Sequence, residues 1–346
     1  MADAATRRAV VDLRDTRPLW TVPEWATDEI RAAFPAEWDV VVVDADSDGR
    51  GDGGGPSPEA LAAVRGAEVY LGYGIPRELF RAAGGALRWV HSGAAGVGGA
   101  LYPEMRDSRV VLTNSAGIHA EPIADTVLAM ALHFARGLDF AVRAQAERRW
   151  DKAPFDAADA PLRETGELTV GIVGLGGIGR AAARRFAALG ARVLAVRRSG
   201  ADPPEGVELV RGDDTLGRLL EASDVLVLSV PETPGTRGMI GRAELERLRP
   251  GAVLVNVGRG RVVDEDALVD ALRGSRLRGA ALDVFAREPL PPESPLWDLP
   301  NVLVTPHVSG TSHRFWRRET GLVVENVRRH LAGEPLLNTV DKHAGY

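Results

Sequence analysis

The stretch VGIVGLGGIGR, residues 170–180, runs a short apolar strand straight into a GxGxxG turn and on into a helical segment, and few folds admit that order. Gly174 permits the tight turn, Gly176 lets the backbone approach a pyrophosphate, and Gly179 lets the helix pack closely on its strand. The helix N-terminus then offers free N–H groups to an anion. With 39 glycines in the chain the motif alone is weak, but its strand-turn-helix setting makes it a dinucleotide-binding turn. Downstream, apolar runs recur near 192–196, 224–229, 252–257, 279–283 and 301–305. With the strand at 169 they predict six parallel strands in a doubly wound sheet.

Upstream, β-branched runs at 40–43, 68–71, 87–91 and 110–113 alternate with helical stretches, which implies βαβ units and a second parallel sheet. Residues 46–56, DSDGRGDGGGP, are too polar and glycine-rich to pack and are expected to form a surface loop. From Glu121 one long helix is expected, with Pro122 in its first turn and Ile123, Val127, Met130, Phe134, Leu138 and Val142 on one face. It ends in the polar segment 144–167, where Trp150 and Phe155 are placed either to pack on a partner subunit or to cover the molecule's own core. A last helix over 317–331, with Leu322, Val323, Val327 and Leu331 on one face, is expected to return to the first domain. The fold class is therefore α/β, with two Rossmann-like or flavodoxin-like domains. Residues 1–118 plus 312–346 form a discontinuous substrate domain, and 119–311 a dinucleotide-binding domain.

At 346 residues the chain can bury two cores. A net charge of -6 without a long basic stretch speaks against nucleic acid, so anionic substrates must be attracted locally. The absence of cysteine removes disulfides, thiolate catalysis and Cys-type zinc sites, and seven histidines without HExxH spacing give no metal site. The opening residues lead to no apolar targeting segment and no run approaches a membrane span, so a cytoplasmic location with no membrane partner is the expectation.

Cofactor choice is read after the second strand of the glycine-turn unit, where an acid would bind a ribose 2′-hydroxyl. Here stand Arg197, Arg198 and Ser199, which suit a 2′-phosphate and favour NADP, with NAD as the alternative. Three further polar residues follow strand ends: Arg259 after VLVNV, Glu288 after AALDVF, and His307 after NVLVTP. Reduction of a 2-keto acid needs a hydride donor, a proton donor and a cation to orient the carboxylate. His307 suits proton transfer near neutrality, Glu288 would favour its imidazolium, and Arg259 can clamp a carboxylate. Asp283, at its own strand end, is placed to accept from a nicotinamide carboxamide or to orient the ring.

These segments resemble the D-isomer-specific 2-hydroxyacid dehydrogenase family. The likeness runs through the glycine loop, VPETPGTR (230–237), NVGRGRVVDE (256–265), DVFAREPLP (283–291), TPH (305–307) and ENVRRHLAGEP (325–335). It implies an Arg259, Glu288, His307 active site in an interdomain cleft, and a homodimer built through the cofactor domains. It also implies that HSGAAGV (91–97) is a substrate loop, with Ser92, Gly93 and Ala94 joining Arg259 and His307 at a substrate carboxylate. Cofactor contacts are implied at Gly174, Gly176, Gly177, Ile178 and Gly179, at Arg197, Arg198 and Ser199, and at Val230, Pro231, Thr236, Val257, Gly258, Asp283, His307 and Gly310. Two departures stand out: Ala124-Asp125 replaces the usual Ala-Glu, and Arg197 replaces the usual acid, as in the NADP-using glyoxylate and hydroxypyruvate reductases. Trp316, Phe315, His313 and Tyr102 are candidate pocket or core residues. The favoured activity is NADPH-dependent reduction of a small 2-keto acid to the D-2-hydroxy acid. The alternatives are a biosynthetic dehydrogenase for a bulkier 2-hydroxy acid and a nucleotide-sensing, corepressor-like binding protein.

Overall fold

The computed structural model describes residues 7–46, 55–198 and 202–345. Ser199 and most of the glycine-rich loop at 46–56 lie outside the described residues. The chain divides into two compact units, Met1–Ile118 with Ser312–Tyr346, and His119–Thr311.

In the first unit five parallel strands, β1 (Arg8–Asp12), β2 (Asp39–Val42), β3 (Val69–Gly72), β4 (Trp89–Ser92) and β5 (Val111–Asn114), take the order β2-β1-β3-β4-β5. Strand residues alternate between faces. Ala9 and Val11 of β1 pack with the helices Glu24–Ala33 and Phe315–Ala332, whereas Val10 faces the cluster holding Ala60, Leu79 and Met105. Strand β1, bordered by both β2 and β3, is absent from the sequence-based expectation. Its three apolar residues between an arginine and an aspartate are too short a run to announce a buried strand.

The second unit carries seven strands among the described residues: β6 (Thr169–Val173), β7 (Arg192–Val196), β8 (Val207–Leu209), β9 (Val225–Leu228), β10 (Ala252–Asn256), β11 (Leu277–Leu282) and β12 (Val302–Val304). Their order is β12-β11-β10-β9-β6-β7-β8, every pairing is parallel, and the order in which strands are added reverses between β6 and β9. That reversal places the ligand crevice of a doubly wound sheet outside the ends of β6 and β9. The short edge strand β8 is the one the six-strand expectation lacks. Val170 and Ile172 pack under the helices Ala120–Ala135 and Gly177–Ala188, and Val173 faces the opposite core.

The single helix expected from Glu121 to the polar segment is two. Ile123, Val127, Met130 and Phe134 are buried in Ala120–Ala135, but Gly137 turns the backbone to φ +65 before Leu138–Ala146 begins. Leu138 and Val142, expected on the same buried face, are 47% and 56% exposed. A left-handed residue breaks the periodicity that carried the longer reading. Trp150 is 92% exposed, while Phe155 meets Phe140 edge-on. No helix among the described residues is long and apolar enough to cross a membrane.

Candidate functional site

Each glycine of the turn has its own physical reason. Gly174 sits at φ +93, and a Cβ there would stand 2.6 Å from Val230 Cγ1. At Gly179 a Cβ would fall 2.0 Å from the Gly174 carbonyl oxygen, so only glycine lets the helix close on its strand. At Gly176 nothing lies within 4 Å of a built Cβ, so the backbone there is open to close approach by a ligand. Gly176 caps the helix that Gly177 and Ile178 begin, whose first N–H groups have no intrahelical partner.

Arg197 follows β7, and its Nη1 is buried without a hydrogen-bond partner. A buried guanidinium N–H left unpaired by protein is costly unless an anion meets it. Arg198 beside it is exposed. After β9, the Thr236 hydroxyl donates to the Pro231 carbonyl at 2.7 Å and accepts the Thr233 N–H at 2.8 Å, which shapes the turn that follows Val230. Val257 and Gly258 are buried after β10, and a Cβ on Gly258 would meet the Val230 carbonyl oxygen at 2.6 Å. The backbone there has room for glycine alone.

Arg259 follows directly, its Nη1 donating to the Gly258 carbonyl at 2.7 Å. Gly260 lies so close to the Phe285 backbone that a Cβ would overlap it, which draws the Arg259 turn against the loop carrying Glu288. Glu265 accepts the Ala286 N–H at 3.1 Å and pins that loop. Glu288 accepts the Phe285 N–H on Oε1 at 2.9 Å and faces His307 Nδ1 with Oε2 at 2.7 Å. The Glu288 hydrogen bond raises the His307 pKa above its ordinary value, against partial burial and the Arg259 charge. Partial burial pushes Glu288 up, but the His307 and Phe285 hydrogen bonds and the nearby charges of His307 and Arg259 hold it below the usual carboxylate value. Among the described residues His307 Nε2 has no hydrogen-bond partner, so the imidazole presents one nitrogen for proton transfer while Glu288 orients the other.

His307 itself is left-handed, at φ +53. Asp283, 1% exposed, holds that strained turn from below. It accepts from the Thr305 hydroxyl at 2.6 Å, the Val308 N–H at 2.9 Å, the Ser309 N–H at 3.1 Å and the Ser309 hydroxyl. A carboxylate has about four lone-pair sites, and all are taken by residues flanking His307. A carboxamide accepted by Asp283, or a ring it orients, would share that carboxylate with these four protein donors. Gly310 lies against the ring of His119, which bonds its carbonyl at 3.2 Å.

In the first unit the loop after β4 is tied down by its carbonyls. Ser115 N–H donates to Ala94 O at 3.3 Å and Asn114 Nδ2 to Ala95 O at 2.8 Å. The Gly93 N–H is spent on Gly72 O and the Ala94 N–H on Ser92 Oγ. Across a trans peptide N–H and C=O point opposite ways, so the N–H groups of Ala95 and Gly96 turn away from β5. Among the described residues no hydrogen bond is made by the N–H groups of Ala95 and Gly96, whereas those of Gly93 and Ala94 are engaged. Of the four candidate pocket residues, Phe315 and Trp316 are core, Tyr102 is half-buried on the Ile75 carbonyl, and His313 is exposed.

Residues 128–309 match the family described as D-isomer specific 2-hydroxyacid dehydrogenase, NAD binding domain. The chain belongs to the D-isomer specific 2-hydroxyacid dehydrogenase family. It is accordingly an NAD(P)-dependent dehydrogenase, and its two parallel sheets match those of solved family members. A glyoxylate reductase of Korarchaeum cryptofilum is 38% identical over 271 residues, 78% of this chain and 80% of that one. The crystal structure of a family member from Xanthobacter autotrophicus Py2 in complex with NADPH and MES is 34% identical and superposes with a TM-score of 0.78 over 99% of this chain and 100% of that one. An NADPH-dependent glyoxylate/hydroxypyruvate reductase from Sinorhizobium meliloti, in complex with NADP and sulfate, is 31% identical with a TM-score of 0.75, covering 98% and 100%. In this dehydrogenase the Asp125 carboxylate takes Arg185 Nε at 2.7 Å and so joins the helices Ala120–Ala135 and Gly177–Ala188.

Proposed function

We propose that this dehydrogenase reduces a small 2-keto acid of the glyoxylate or hydroxypyruvate type to the D-2-hydroxy acid with NADPH. The observation that carries the reading is the His307–Glu288 pair at 2.7 Å, with Arg259 near enough to act on the pKa of both. Support for NADPH comes from the open backbone at Gly176, the unpaired donor of Arg197 and the NADPH- and NADP-bound relatives. Gly176, Gly177 and Ile178 would hold the pyrophosphate, and Arg197 with Arg198 the 2′-phosphate. When bound, the cofactor supplies a hydride to the carbonyl carbon. Arg259 orients the carboxylate and polarises the carbonyl, and His307 Nε2 gives its proton to the oxygen as negative charge develops there. Glu288 keeps His307 in the protonated, correctly turned form until the proton leaves. The N–H groups of Ala95 and Gly96 offer the first unit's donors for a carboxylate. A cytoplasmic homodimer completes the reading.

The test is a panel of 2-keto acids scored by kcat/KM with NADPH and NADH. Glyoxylate or hydroxypyruvate should lead with NADPH, Arg197→Asp should reverse the cofactor preference, and His307→Ala should lower kcat by about 10²–10⁴-fold with NADPH affinity retained. Tight NADPH binding without turnover of any 2-keto acid would instead favour a nucleotide sensor.

A further inference from the structure

Behind the loop that ends β4 runs a chain of polar side chains that the reaction above does not use. His91, Thr113, Ser115 and Glu319 are all 0% exposed. Trp89 Nε1 donates to Thr113 Oγ1 at 2.9 Å, Thr113 Oγ1 meets His91 Nδ1 at 2.8 Å, and His91 Nε2 meets Glu319 Oε1 at 2.9 Å. From the other carboxylate oxygen the chain continues to Ser115 Oγ at 2.7 Å, which also lies 3.0 Å from the Ser92 carbonyl. Glu319 belongs to the helix Phe315–Ala332, 204 positions from Ser115, so the contact is wholly tertiary.

Apolar side chains of the same shape would fill this space with no desolvation cost, so stability alone does not call for a buried carboxylate. What the polar chain adds is position. Ser115 meets the loop at both ends, holding Ala94 O with its N–H at 3.3 Å and setting its hydroxyl 3.0 Å from Ser92 O. The Ser115 hydroxyl has a single hydrogen, and Glu319 Oε2 is the nearer of its two acceptors, so Glu319 anchors Ser115 and the backbone N–H of Ser115 carries that position to the loop. Because the peptides of Ala94 and Ala95 direct the Ala95 and Gly96 donors, a shift of Ser115 re-aims those donors.

We propose that Glu319, acting through Ser115 and His91, is a positioning residue for the carboxylate-binding loop, so that the C-terminal helix tunes keto-acid affinity. This rests on the reading of Ala95 and Gly96 as carboxylate donors. The test compares Ser115→Ala, Glu319→Gln and Glu319→Leu by KM for glyoxylate, kcat, KM for NADPH and Tm. Ser115→Ala raises the glyoxylate KM about tenfold while kcat and the NADPH KM stay within about twofold. Glu319→Gln, which keeps an oxygen for His91 and supplies an N–H to Ser115, stays within about threefold of wild type, and Glu319→Leu matches Ser115→Ala. The Ser115→Ala/Glu319→Leu double variant is no worse than either single one, because both cut the same chain. Gly93→Ala, whose Cβ would meet the Tyr73 ring at 3.2 Å, perturbs the loop directly. If Gly93→Ala raises the glyoxylate KM and a folded Ser115→Ala does not, the positioning role is overturned and the loop reading survives. If Gly93→Ala leaves that KM unchanged, both fall. A Ser115→Ala variant in which KM, kcat and NADPH KM all worsen along with a lowered Tm also overturns the positioning role, leaving only a part in folding.

Discussion

Glu288 faces Nδ1 of His307 at 2.7 Å, and that one contact both raises the pKa of the imidazole and fixes which way the ring is turned. A proton donor works while it is protonated, and His307 has its pKa raised by Glu288. Reduction measured as kcat/KM is therefore expected to stay level on the acid side and to fall as pH rises through the raised value. Oxidation of the hydroxy acid, which needs the neutral ring, should rise over the same range. Glu288→Gln removes the largest cause of the shift, so the falling limb of the reductive profile should move to lower pH. Stopped-flow or steady-state pH profiles of the two proteins check this, and coincident limbs would separate Glu288 from the acid. The residue identities Arg259, Glu288 and His307 were legible because each follows an apolar run in a fixed strand-to-loop pattern. The hold of Asp283 on the His307 turn was not, since its donors come from Thr305, Val308 and Ser309 and only the folded turn brings them to it.

At the scale of elements, the glycine turn joins β6 to the helix Gly177–Ala188 and divides its work by position. Gly179→Ala places a Cβ 2.0 Å from the Gly174 carbonyl oxygen, and overpacking of this kind costs about 1–3 kcal/mol, so Tm should drop. Gly176→Ala meets nothing within 4 Å, so Tm should hold while NADPH affinity falls, as calorimetry of binding would read. Equal losses of stability in both variants would contradict the assignment of Gly176 to ligand approach. The strand and helix periods told most of these elements from sequence. They failed at β1 and β8, where five and three residues give too little pattern, and at Gly137, where one left-handed residue ends a helix whose apolar spacing runs on past it.

Across the whole molecule, Leu138, Val142 and Trp150, close together in the sequence of the second unit, are among the large hydrophobics that remain exposed. As contact residues of the proposed homodimer they would be covered. Sedimentation velocity should then give a dimer, and Val142→Asp with Trp150→Ser should shift it toward monomer with the far-ultraviolet circular dichroism unchanged. A variant that remained as dimeric as wild type would place the interface elsewhere.

Local pattern in this chain was enough for the α/β class, the parallel strands, the dinucleotide turn and the three polar residues of the candidate site, because strand alternation, helix period and glycine spacing are properties of neighbours in sequence. Contacts between residues far apart in the chain lay beyond it. The order of the strands, the grip of Asp283 on the His307 turn, the aim of the Ala95 and Gly96 donors and the Glu319–Ser115 link each depend on which distant groups the folded sheets bring within hydrogen-bond reach. A hydrogen bond acts over about 3 Å, and no spacing along a sequence encodes that distance.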